Sequence, residues 1–211
     1  MSTNKRFWDR ISERYDHHSK RYYMSYNKTI KHVLASTSKD STLLEVGCGT
    51  GTITTAVAPY IKHITSVDIS DKMLKVAQKK ADALQLSNIT FLQSTGNEIN
   101  TKAHSYDTLL LINILHFVED PEQMLAETSR LLKPDGLIIA AGDCFGEIHT
   151  FHQQLKSSML KALSYVGVIP KMHFYTILSF RQLFEQHGFT IYEEDYLHRA
   201  PLNYYMELRK N

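Results

Sequence analysis

A chain of 211 residues is one ordinary domain with room for an appendage at either end. Its 24 Lys+Arg against 22 Asp+Glu leave a formal net charge of +2, which argues against a general nucleic-acid binder, because phosphate binding rests on a concentrated basic surface. At 43% hydrophobic and 10% aromatic residues the chain can bury a core, so disorder is excluded as its main state.

Residues 1–40 are polar and aromatic. Phe7, Trp8, Ile11 and Tyr15 share one face of a helix, and Ile30, Val33 and Leu34 form a second short face over 28–35. The pattern then changes. The apolar run 42–46 (TLLEV) ends in glycines and reads as a buried strand. A helix over 53–60 and a strand over 64–68 follow. Ser70 is placed to N-cap a helix whose inward positions are Met73, Leu74, Ala77, Ala81 and Leu84. Strands are expected at 89–92 and at 108–112, the latter apolar throughout. Asp120-Pro121 opens a helix, Asp as N-cap and Pro at the first helical position, with Met124, Leu125, Thr128, Leu131 and Leu132 inward. The turn KPDG at 133–136 closes it, and 137–141 is a fifth strand.

After Gly142 the pattern loosens. Residues 147–167 look helical, and Ser179–Gln182 reads as a capping box opening a helix that stops near Gly188. The last two strands, 190–196 and 204–209, lie too close for a helical crossover and should pair antiparallel. The whole predicts an α/β fold: a doubly wound, mostly parallel, seven-stranded, Rossmann-like sheet with a C-terminal antiparallel strand pair. Residues 1–40 would be a helical N-terminal lid on a domain spanning 41–211, with 145–178 a substrate-facing insertion. The longest apolar run, 109–118, is too short for a bilayer and is broken by Asn113 and His116. The N-terminus lacks a secretory apolar stretch, and two cysteines, Cys48 and Cys144, make a reducing cytoplasm the expected location.

The strongest chemical signal is LLEVGCGTG at 43–51, where the first strand hands over to a helix. Glycines there let a ligand approach the main chain. Asp68 stands at the end of the second strand, where its carboxylate can accept both hydroxyls of a ribose. The dinucleotide fingerprint G-x-G-x-x-G is not met, since the third glycine comes one residue early. Glu45 beside the turn would repel a pyrophosphate but attract an amine. A nucleoside carrying positive charge is favoured.

These residues resemble motifs of the class I S-adenosylmethionine-dependent methyltransferases: LLEVGCGTG, then VDIS at 67–70, then the segment 106–142, which includes LLKPDG. The small-molecule branch, with its ubiquinone- and menaquinone-type enzymes, is the nearer one. The resemblance implies S-adenosylmethionine as cofactor, with S-adenosylhomocysteine as product. The main chain at Gly47, Cys48, Gly49 and Gly51 would wrap its methionine part, with Glu45 near the amine. Asp68 would bind the ribose, with Ile69 on the adenine and Met73 closing the pocket. Thr95 stands where an acid usually meets the adenine amine, and Gly96 or Asn97 would assist. Asn113 would offer a carbonyl near the sulfonium.

The catalytic group is not fixed by such motifs. His116 follows the fourth strand and is either a proton acceptor or a pocket filler. His149 and His152 are spaced i, i+3 as base, substrate contacts or surface residues, and no third ligand makes them a metal site. Tyr15, Tyr22 and Tyr23 would form a lid or pack helices. Phe145, Phe174 and Tyr175 line an acceptor pocket or the core. The cations of 5–21 read most simply as a solvated face. The stretch after the fourth strand, Asn113 to His116, lacks the prolines of amino-methylating DNA and protein enzymes and the cysteine of cytosine-C5 enzymes. The partner expected is therefore a small organic acceptor methylated on O, N or C. A cofactor-binding protein without turnover, a nicotinamide-dependent oxidoreductase, and a protein- or RNA-directed methyltransferase docking through its N-terminal helix stay open.

Overall fold

The computed structural model describes residues 3–96, 99, 102–199 and 201–210. Its strands are β1 (Thr42–Val46), β2 (His63–Asp68), β3 (Ile89–Gln93), β4 (Tyr106–Ile112), β5 (Leu132–Asp143), β6 (Phe189–Arg199) and β7 (Leu202–Lys210). They form one sheet in the order β3-β2-β1-β4-β5-β7-β6. The first five strands run parallel, and β7 is antiparallel to both its neighbours. The strand order turns outward on either side of the β1–β4 pair, so a crevice forms at the C-terminal ends of those two strands.

The helices are α1 (Thr3–Ser19), α2 (Tyr23–Ala35), α3 (Thr52–Val57), α4 (Asp71–Ala83), α5 (Pro121–Ser129), α6 (Phe151–Tyr165) and α7 (Ile177–Glu185). Alternate strand residues face opposite sides of the sheet. Leu44, Val46, Leu109, Leu111, Ile138 and Ala140 pack on one side with Met124 and Leu125 of α5 and Phe180 and Phe184 of α7. Leu43, Leu110, Ile139 and Ala141 pack on the other with Val33 of α2 and Ile53 and Val57 of α3. Strand β4 is buried on both faces, which is why its sequence is apolar throughout.

Several boundaries differ from the sequence expectation. The helix expected over 53–60 becomes α3 and a 3₁₀ turn at Ala58–Tyr60, because Pro59 has no N–H for a continued α-helix. The KPDG segment is an exposed excursion within β5, between the pairs Tyr106–Leu132 and Thr108–Leu137. Helix α6 starts only at Phe151, behind a Thr150–Gln153 capping box. Helix α7 is capped by Thr176, not Ser179: the Thr176 hydroxyl accepts from Ser179 N at 3.1 Å, and Ser179 Oγ accepts from Thr176 N at 2.9 Å. The two boxes are three residues apart, and the earlier one brings Phe180, Leu183 and Phe184 inward. Strands β6 and β7 extend toward each other until only residues 200–201 join them. No helix among the described residues is long and apolar enough to cross a membrane.

Candidate functional site

The glycine turn closes the β1–α3 corner as the sequence requires. Gly47, Gly49 and Gly51 all have positive φ, at +78°, +54° and +73°. The N–H groups of Gly47 and Cys48 donate to Val67 O at 2.8 and 3.0 Å, sewing the turn to the end of β2. A methyl at Gly47 would meet Ile114 at 2.6 Å, and one at Gly51 would meet Ala77 of α4 at 2.8 Å. Gly51 therefore packs helix on helix and does not line the crevice. Gly49 does, and its N–H donates to Asp68 Oδ2 at 2.9 Å, while Ser70 N donates to Oδ1 at 2.8 Å. Burial pushes the Asp68 carboxyl up, and these N–H groups oppose that.

Glu45 lies at the floor, buried, and accepts from Thr54 Oγ1 and, at 3.3 Å, from Ser66 Oγ. Desolvation raises its carboxyl to about 7, against those two hydroxyls. Asn113, beyond β4, is held at φ +56° with its N–H on Ala141 O at 2.7 Å. A non-glycine residue in that region is strained and is enriched at functional sites.

Helix α1 roofs the crevice. Asp9 accepts from Ser70 Oγ at 2.6 Å and pairs with Lys5 at 2.7 Å, and Lys5 also pairs with Asp71. Asp16 accepts from Thr50 Oγ1 at 2.6 Å and pairs with Lys80 at 2.7 Å. Lys5 is thus buried and paired, which corrects the solvated-face reading of 5–21 at that residue. Trp8 packs edge-on against Phe117 at 5.0 Å, and Tyr15 shares a hydrogen bond with Tyr26.

Beneath this roof is a cavity of about 250 Å³. Of the residues singled out in the sequence, it gathers Glu45, Gly47, Cys48, Gly49, Asp68, Ile69, Met73, Asn113, His116, Tyr15, Tyr22 and Phe145. Two further cavities adjoin it. One of about 430 Å³ shares Trp8, Ile69, Ile114 and Phe117 with it and adds Thr95, Glu119 and Asp120. The other, of about 180 Å³, shares Phe145 and adds His152, Lys156, Ser157 and Leu202. Gly96 is buried between Val46 and Met124, and Asn97 lies outside the described residues. His149 is exposed over a separate groove beside Tyr196 and Arg199. Tyr23 is exposed, and Tyr175 packs on the core. Phe174 stands 6.3 Å from Phe145.

His116 is buried with no partner for Nδ1 in the structure, and desolvation, then the nearby His173, lowers its pKa to about 3. It is neutral at physiological pH. Sequence reasoning missed a polar chain at the same edge. Asn203 of β7 sits opposite Asp143 of β5 and His198 of β6. Its Nδ2 donates to Asp143 Oδ1 and Asn113 Oδ1, both at 2.7 Å. His198 Nε2 stands 3.5 Å from Asp143 Oδ1, and both residues line the cavity. A bulge between Tyr196 and His198 sets this register. Only the strand pairing unites these three residues, so no local motif announces them. Elsewhere, His32, Glu193 and Glu207 bring possible metal-ligand atoms within 4.8 Å of one another. The Glu207 carboxylate already accepts from the hydroxyls of Ser36, Tyr192 and Tyr205.

A family model described as a methyltransferase domain matches residues 44–140, a little under half of the chain. A ubiquinone biosynthesis O-methyltransferase of Coxiella burnetii is 37% identical over 101 residues, which are 47% of this chain and 42% of that protein. The chain thus spans about two fifths of the length of this curated relative. Among solved structures, magnesium protoporphyrin IX methyltransferase from Synechocystis PCC 6803, with bound SAH, superposes with TM-score 0.74 at 19% identity over 100% of both chains. A Haloferax volcanii methyltransferase in complex with the Trm112 methyltransferase activator gives TM-score 0.76 at 17% identity, covering 98% of this chain and 96% of that one. At these identities the likeness is one of fold. The segment 44–140, which holds the glycine turn and the trailing acid, is thus similar to a methyltransferase domain, and the sheet order of the whole chain is that of the solved methyltransferases it superposes on.

Proposed function

We propose that this protein transfers a methyl group from S-adenosylmethionine to a small organic acceptor. The observation that carries this reading is the charge of the central cavity. Glu45, Asp68 and Asp143 line it, and among the described residues no Lys or Arg does. A sulfonium nucleoside with a free ammonium suits such a lining, whereas the pyrophosphate of a nicotinamide dinucleotide would meet carboxylates where it needs donors.

In this reading the main chain at Gly47 and Gly49 cradles the methionine part, and Glu45 faces its ammonium. Asp68, already oriented by two backbone N–H groups, takes the ribose hydroxyls. Ile69, Ile114 and Phe117 sandwich the adenine, whose edge reaches Thr95. When bound, the cofactor supplies a methyl group activated by its sulfonium. The protein's remaining task is to hold the acceptor in line and exclude water. The roof of Trp8 and Tyr15 supports the exclusion, and the pocket beyond Phe145 has room for the acceptor. The name of the Coxiella relative favours an oxygen acceptor. For a hydroxyl, a proton must leave. His198 is placed to receive it, its Nδ1 held by Pro201 O and its Nε2 beside Asp143. Residues 1–40 serve as a lid on this domain. The two cysteines, both free and buried, suit the cytoplasmic location that goes with this reading.

Titration calorimetry with S-adenosylhomocysteine tests the cofactor assignment. The wild type should bind it, and Asp68→Ala should weaken binding at least about tenfold. Failure of the wild type to bind, or an unchanged Asp68→Ala affinity, would overturn it. Turnover is read with a methyl-labelled donor and a panel of phenolic acceptors.

A further inference from the structure

The three adjoining cavities differ in charge. Glu45, Asp68 and Asp143 line the central one, and Glu119 and Asp120 line the one toward Thr95. Among the described residues that line any of the three, the one Lys or Arg is Lys156, in the cavity of about 180 Å³ beyond Phe145. It makes no ion pair among the described residues, although its charge reaches Asp143 and opposes the burial that raises that carboxyl. The single acid on the same lining, Glu147, is already engaged. Its Oε2 accepts from Ile177 N at 3.0 Å, and its Oε1 stands 3.5 Å from His149 Nε2.

Lys156 belongs to a polar face of α6. His152, Gln153, Lys156 and Ser157 are spaced i, i+1, i+4 and i+5, so they share one side of the helix, and all four line this cavity. The Gln153 side-chain carbonyl is taken up by the cap of α6, where it accepts from Thr150 N at 2.9 Å. Ser157 is 3% exposed, and no protein group partners its Oγ. A buried hydroxyl left in that state costs free energy, so one at a cavity wall points to a partner that enters the cavity. The rest of the lining, Glu147 apart, is Cys144, Phe145, Pro201 and Leu202. A mainly apolar pocket with a few convergent polar groups is the usual form of a small-molecule site. Here those groups are an ammonium, an unpaired hydroxyl and an imidazole. They suit a carboxylate, which accepts hydrogen bonds and donates none.

We propose that this cavity binds a carboxylate of the methyl acceptor on Lys156 Nζ and Ser157 Oγ, so that the acceptor is an organic acid with its apolar body along Phe145 and Leu202. The acids of the central cavity repel such a carboxylate, and Lys156 attracts it. The charges that draw a cationic cofactor to one end therefore orient the acceptor from the other. The proposal rests on the methyl-transfer reading for the reaction, but the carboxylate site itself is measured by binding alone.

Calorimetry with benzoate, protocatechuate and p-coumarate, each beside its methyl ester and each with and without S-adenosylhomocysteine, tests it. At least one acid should bind about tenfold more tightly than its ester, and added salt should shrink that preference. Lys156→Gln should abolish the preference, and Lys156→Arg should keep it. Ser157→Ala should weaken the acid roughly fivefold and leave the ester unchanged. Lys156 is exposed and Ser157 has no side-chain partner to lose, so thermal melting of each variant should match the wild type. If every acid binds no more tightly than its ester, or if the preference survives Lys156→Gln, the proposal is overturned. Binding of S-adenosylhomocysteine with no acid preferred removes this inference alone. A Lys156-dependent preference in a protein that does not bind S-adenosylhomocysteine supports the carboxylate site and removes the methyl-transfer reading instead.

Discussion

Glu45 is where the demands of folding and of ligand binding pull hardest against each other. Its carboxyl, ordinarily at 4.5, is raised to about 7 by burial. The folded chain therefore holds this proton more tightly than the unfolded chain does. The stability due to that difference is fully present below about pH 4.5 and is lost as pH rises to about 7, where the native group ionises in place. The loss amounts to about 3 kcal/mol, from about 2.5 pH units at 1.36 kcal/mol each. Glu45→Gln keeps the shape and can still accept from Thr54 and Ser66, but it has no charge to bury. Without ligand, it should match the wild type near pH 4.5 and exceed it by up to about 3 kcal/mol at pH 8. For a chain of this size that is a melting shift on the order of 5–10 °C. Affinity should move the opposite way. An ionised partner for an ammonium is worth about 1.5–3 kcal/mol, so the variant should bind S-adenosylhomocysteine at least about tenfold more weakly at pH 8. Wild-type affinity should also rise about fivefold from pH 6 to pH 7 as the carboxyl gives up its proton, and the variant's should not. Denaturant unfolding and calorimetry across this pH range read both effects. A variant destabilised equally at every pH, or one binding as tightly as the wild type, refutes the reasoning.

Two further outcomes follow from particular contacts. His198→Gln should lower transfer to a hydroxyl acceptor by roughly 10²–10⁴-fold while cofactor affinity changes far less, read as single-turnover rates beside calorimetry; equal losses in both would remove His198 from proton transfer. Thr176→Ala should cost about 1 kcal/mol in denaturant unfolding, whereas Gln182→Ala should be nearly neutral, since the cap of α7 lies at Thr176.

What could be read in the sequence was whatever is decided within a few neighbouring residues. The buried strands β1, β2 and β4 announce themselves because an apolar run between turn residues has few other uses. The Ser70 and Asp120 caps were legible for the same reason, and in the structure they accept from Met73 N at 3.1 Å and Gln123 N at 2.9 Å. The glycine turn and Asp68 were legible because β1 and β2 are adjacent parallel strands, so both carboxyl ends meet at one edge. Where two local signals competed, as at Thr176 and Ser179, the packing of Phe180 and Phe184 decided between them. The chain Asn113–Asn203–Asp143–His198 was illegible in principle. Its geometry depends on the register of two antiparallel pairs and on one bulge, and a shift of a single residue would turn His198 to the other face.

The proposed function, taken with the three adjoining cavities and the roof over the central one, predicts an order of binding. Among the described residues, neighbouring cavities continue the central one toward Thr95, past Ile69 and Phe117, and toward Ser157, past Phe145. In the proposed reading the nucleoside uses Asp68 and the glycine turn and would take the first direction, which leaves the second to the acceptor. The roof is held over the centre by polar ties and by the packing of Trp8 against Phe117 and Tyr15. The Asp16–Lys80 pair is partly exposed, and such pairs contribute about 1 kcal/mol at most. A cation among Glu45, Asp68 and Asp143 would offset the desolvation that raises all three carboxyls. In the proposed reading, cofactor entry beneath α1 would therefore stabilise the floor of the crevice before the acceptor arrives past Phe145.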